Sequence, residues 1–216
     1  MKIDYRLKNR IRFNQLEDEA KKRLRRFYHF TSAEAALQIL QAGAIWSDQD
    51  DVAPYFCANR QVKAGYEGSQ EICLTFRFTG NGHLVPEDGS SNDYQPNALY
   101  VHLYEWPDMY SLEGMRVAEL RVSAGTASGL ECIAFHPSED FLERCKTDIG
   151  ATIVLTRIKR LMAAHRVMRV PADGQEREAL RAKYPPFKPT TLDIWRMQWH
   201  LFLRRWQKKR AAAGKP

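Results

Sequence analysis

Cysteine is sparse and scattered in this sequence. The four thiols, Cys57, Cys73, Cys132 and Cys145, form no Cys-x-x-Cys pair and no cluster with histidine. Neither a disulfide framework nor a metal site is therefore expected, and a reducing cytoplasm is the expected compartment. There is no run of 18 or more apolar residues, so no membrane-spanning helix is expected, and Met1 to Arg6 lack the apolar stretch of a secretory signal. A glycine-rich phosphate loop and an internal repeat are missing as well. What is present is a globular composition: of 216 residues, 44% are apolar and 11% aromatic, enough for a proper core. Lys and Arg number 33 against 26 Asp and Glu, a net charge of +7 with the excess mainly at the two ends of the chain. A basic surface attracts polyanions by releasing their counterions, although a solvated basic face has the same composition.

The chain divides into three stretches: a basic helical lead-in over 1–26, a main domain over 27–170, and a linker with a basic amphipathic helix over 171–216. In the lead-in, Leu7 and Ile11 form an apolar stripe among Arg6, Lys8, Arg10 and Arg12, and Lys21 to Arg26 add a second basic cluster. The main domain opens with Phe27-Tyr28-His29-Phe30-Thr31, whose aromatics favour a strand. Thr31 stands three residues before Glu34, the spacing of a reciprocal helix cap. Ala33, Ala36, Leu37 and Leu40 then fall on one helical face, and Gly43 stands where a left-handed residue would end the helix.

Pro54 to Ala58 is a second aromatic strand, and Ile72, Leu74, Phe76 and Phe78 recur in period two as a half-buried one. Gly80 to Asn97, rich in Gly, Asn, Asp, Ser and Pro, predicts a long loop. Further strands are expected at Ala98 to Glu105, Met115 to Val122 and Leu130 to Phe135, and a helix start at Ser138. Ile149 to Met168 reads as a core helix or, over Ala151 to Leu155, as a strand. Near the end, Leu192, Trp195, Trp199, Phe202 and Trp206 recur at spacings of three and four, an amphipathic helix whose stripe is expected to dock on its own domain.

The order of His29 in Tyr-His-Phe-Thr, a helix ending at Gly43, the Pro-Tyr-Phe-Cys-Ala strand, Tyr66 and the strand Ile72 to Phe78 resembles the His-Tyr-Glu class of ADP-ribosyltransferases. Tyr-His-Phe-Thr, together with Arg60 just after the Tyr-Phe strand, is most similar to the DarT-type toxins, which modify a base in single-stranded DNA. The resemblance covers roughly residues 27 to 145. It implies an α+β fold with a split, mostly antiparallel sheet flanked by N- and C-terminal helices, and NAD consumed as a substrate. It further implies contacts to NAD from His29, Thr31, Phe56 and Tyr66, with His29 on a ribose and Tyr66 stacked on nicotinamide. Arg60 suits the pyrophosphate or an acceptor anion. The catalytic carboxylate is Glu131, at the head of a short apolar strand, or Glu119, embedded in an alternating one; Glu131 is the preferred reading. The acceptor is expected to be nucleic acid, DNA or RNA, with protein as the alternative and no membrane partner. A non-enzymatic nucleic-acid-binding or regulatory protein on the same scaffold is the rival reading.

Overall fold

The structure, a computed structural model, describes residues 11–12, 26–46, 54–57, 70–85, 98–103, 118–122, 129–164 and 166–213. Among the described residues, alternating apolar residues and tight turns give nine strands: β1 (Ile11–Arg12), β2 (Arg26–Thr31), β3 (Tyr55–Cys57), β4 (Ile72–Phe78), β5 (Asn81–Val85), β6 (Ala98–Leu103), β7 (Ala118–Val122), β8 (Leu130–Pro137) and β9 (Arg166–Val167). Among the described residues there are five helices: α1 (Ala33–Ala42), α2 (Glu139–Thr147), α3 (Ile149–Leu161), α4 (Gly174–Lys183) and α5 (Thr191–Ala213). The composition is α+β, as expected. The strands follow the order β1-β5-β6-β7-β3-β2-β4-β8-β9, and every pair is antiparallel except β5 with β6.

The sheet has a narrow waist. Its two halves meet where Tyr28 of β2 opposes Cys57 of β3, the single register pair of that seam among the described residues. On the β4 side the pairing is continuous, from Arg26 opposite Arg77 to Thr31 opposite Ile72. Ile72, Leu74, Phe76 and Phe78, at alternate positions of β4, are fully buried. The Phe56 ring meets Phe27 edge-on at 4.6 Å and Phe76 at 5.2 Å, so one aromatic cluster spans the waist. Ala33, Ala36, Leu37 and Leu40 of α1 and Ala151, Val154 and Ile158 of α3 belong to the same core. Burial of Leu37 and Leu40 contributes about 1.5–3 kcal/mol each.

Local capping explains where α1 begins and ends. The N-cap is Ser32, not Thr31, and its hydroxyl accepts from the Ala35 amide at 3.1 Å. The reciprocal acid is not Glu34 either: Glu71, distant in sequence, accepts from the Ala33 amide at 2.9 Å. Thr31 is instead the last residue of β2, paired with Ile72, so its backbone is committed to the sheet. Gly43 ends the helix at φ 61°, the left-handed conformation that glycine adopts without a Cβ penalty. Asp148 caps α3 through the Gly150 and Ala151 amides, which resolves Ala151 to Leu155 as helix. The helix ends at Leu161 rather than Met168, and Arg166 and Val167 form β9 because they pair with Cys132 and Glu131 of β8.

Four further expectations change. Ile11 and Arg12 of the lead-in lie in a strand, held by pairing to Leu84 and His83, where a helix was expected; 1–10 and 13–25 lie outside the described residues. The start of the expected loop is β5, because its polar and glycine residues gain partners on both sides from β1 and β6; 86–97 lie outside the described residues. In the expected linker, Leu180 of α4 packs with Ala44 and Trp46, so this stretch is docked. The aromatic stripe of α5 is exposed, with Trp195 at 60% and Trp199 at 52%.

Candidate functional site at the waist of the sheet

The continuous pairing of β2 with β4 fixes β2, and the three-residue β3 leaves its other side joined at Tyr28 alone among the described residues. Past that pair stands His29, half-buried, with its ring 5.8 Å from that of Phe56 at a steep angle. Thr31, two residues further, is half-buried too. Phe56 is buried at the centre of the aromatic cluster, where its ring serves packing and the edge of the waist at once.

On the far side of β3 comes β7, with Cys57 opposite Glu119 and Phe56 opposite Leu120. Glu119 thus holds the register row of Tyr28, one residue row from His29 and two strands across. By ordinary strand spacings that separation is about 10 Å between backbones. Arg60 and Tyr66 lie outside the described residues, on the chain that leaves β3 after Cys57.

Glu131 has different surroundings. It is the second residue of β8, opposite Arg77 of β4, and its carboxylate accepts a charged hydrogen bond from the Arg77 guanidinium. Arg77 alternates with the buried Phe76 and Phe78, so the ion pair lies on the face of the sheet away from the core. His29 pairs with Leu74 on the core side, three rows along β4 from Arg77. The structure therefore brings His29 and Phe56 together on the core side, puts Glu119 one row away at a register position that alternates onto the same side of the sheet as Arg77 and Glu131, and gives Glu131 a partner of its own.

Two polar features of β4 were not read from the sequence. Among the described residues, the buried Thr75 hydroxyl, in a residue only 6% exposed, and the buried Arg77 Nε find no hydrogen-bond partner. Thr75 opposes Tyr28, so this unsatisfied hydroxyl lies in the same row as Glu119. An unpaired polar atom in an apolar setting is costly, and a ligand group reaching it would relieve that cost. The signal available in the sequence was a threonine inside an otherwise apolar alternation, which is too common to mark a site.

Among the described residues no group of histidine, cysteine and carboxylate could hold a metal ion, and no helix is long and apolar enough to cross a membrane. Compared with family models, curated proteins and solved structures, the chain finds no match.

Proposed function

We propose that this chain transfers ADP-ribose from NAD to a macromolecular acceptor, nucleic acid in preference to protein, at the waist of the sheet. The observation that carries the reading is the meeting of β2, β3 and β7, with His29 against Phe56, Glu119 opposite Cys57, and the chain bearing Arg60 and Tyr66 leaving β3. In the reaction the bond between ribose C1′ and the nicotinamide nitrogen breaks, its electron pair leaving with nicotinamide. A nucleophile of the acceptor forms the new bond to C1′ and gives up its proton.

The sugar passes through an oxocarbenium-like state, and a carboxylate beside it both holds the 2′-hydroxyl and offsets the positive charge. We assign that role to Glu119. Glu131 is the weaker candidate, because its carboxylate already neutralises Arg77 and stands three rows from His29. His29 would hydrogen-bond the other ribose, Tyr66 would stack on nicotinamide, and Arg60 would meet the pyrophosphate. Thr31 and Phe56 would line the approach. Incubation with NAD labelled in its adenylate part, beside separate pools of DNA, RNA and protein, tests the reading. Label should enter a nucleic-acid pool and nicotinamide should be released in step. Label entering protein alone would keep the transferase and change its acceptor; no transfer to any pool would leave the rival reading of a nucleic-acid-binding protein.

A further inference from the structure

Helix α5 has two opposite faces. Asp193, Ile194, Met197 and Leu201 are half-buried, and the Asp193 carboxylate accepts from Arg157 of α3 at 2.9 Å. At about 100° per residue these four point in one direction, toward the domain. Leu192, Trp195, Trp199, Phe202, Leu203 and Trp206 point the other way, and every one is between 36% and 60% exposed. The rings form a plate: Trp195 and Trp199 are stacked at 6.3 Å, and Trp199 and Phe202 at 5.6 Å. From Phe202 to Arg210 each described side chain is exposed.

An apolar plate of this size on a folded domain marks a contact surface. Its charge says what kind. The helix carries Arg196, Arg204, Arg205, Lys208, Lys209 and Arg210 against the single acid Asp193. A second copy of the helix would bring the same cations to the same seam, while the acid is already held by Arg157. Single-stranded nucleic acid would suit the charge, but base stacking needs open ring faces, and here Trp195, Trp199 and Phe202 are turned on one another while the Arg210 guanidinium lies over Trp206 at 4.2 Å. Leucine interleaved with the rings adds nothing to base stacking and much to contact with acyl chains. Cations beside an aromatic and leucine face are the pattern of a helix lying in the plane of an anionic bilayer, its tryptophans at the level of the headgroups.

We propose that α5 docks the protein on the surface of an anionic phospholipid bilayer, the aromatic plate inserted and the basic residues on the headgroups. The test is sedimentation of the full chain with phosphatidylcholine vesicles made with or without phosphatidylglycerol, for wild type and the double variant Trp199→Ser with Phe202→Ser. Both substituted positions are exposed, so the fold is kept, as an unchanged thermal midpoint verifies. The chain should sediment with the anionic vesicles, more weakly with the neutral ones and in high salt, and the variant should lose about tenfold or more in affinity. Failure to sediment with anionic vesicles overturns the proposal, as does a variant that binds like wild type. A dimer, or a single-stranded oligonucleotide complex, that depends on the plate while vesicles stay unbound overturns it in favour of that partner. The NAD assay above does not depend on any of these outcomes.

Discussion

Single residues carry the waist. Phe56 touches Phe27, Phe76 and His29, so its truncation opens a cavity and removes the ring that the histidine rests on. Phe56→Ala should cost about 3–5 kcal/mol, read from the urea midpoint, whereas Phe56→Leu should cost clearly less. An Ala variant as stable as wild type would mean that the cluster does not hold the two halves together. Cys132 is a residue of a different kind, a core thiol whose ionisation burial pushes up from 9.0 to about 12. The unfolded chain loses this proton near pH 9 and the folded one only near 12, so between those values the unfolded state binds fewer protons. Its contribution is therefore complete below pH 9 and is lost as pH rises from there through 12. Cys132→Ala should flatten the decline in denaturant stability above pH 9; an identical decline in the variant would assign it to other groups.

Elements are held by partners both near and far. Glu71 accepts from the Ala33 amide with one oxygen and from Arg144 of α2 with the other, tying the start of α1 to α2. Glu71→Ala should cost on the order of 1 kcal/mol and speed hydrogen exchange at the first turn of α1. Glu71→Gln, which keeps an acceptor for the amide, should recover much of the exchange protection, and equal loss in both variants would put the effect in the ion pair. The same residue shows what a sequence does and does not display. The body of α1, its stop at Gly43, the alternation of β4 and the run of α5 were legible, because spacing along the chain alone determines them. The cap acid was not, since Glu71 reaches Ala33 only after β4 is folded. Nor was β5, whose composition is that of a loop and whose strand character comes from β1 and β6. For the site, His29 and Phe56 were found together by their order. Between the two acids, the sequence displays that Glu131 stands at the head of a strand and does not display its Arg77 partner, 54 residues away.

At the scale of the molecule the net charge of +7 favours polyanions over polycations by electrostatics alone. If phosphates are contacted by the basic ends, affinity for a DNA or RNA oligonucleotide should fall steeply between low and moderate salt, by the release of condensed counterions. An affinity indifferent to salt, or none at low salt, would remove nucleic acid as the favoured acceptor. The central claim is that a carboxylate at the waist stabilises a charge that exists mainly in the transition state. Glutamine keeps the shape of glutamate and loses its charge, so binding should survive the change and turnover should not. The direct measurement is the rate of nicotinamide release from NAD by wild type, Glu119→Gln and Glu131→Gln, with NAD affinity measured in parallel. Glu119→Gln should lose about 100-fold or more in rate with affinity nearly unchanged, and Glu131→Gln should stay near wild type. The reverse pattern would move the carboxylate to β8, and full activity in both variants would contradict the account.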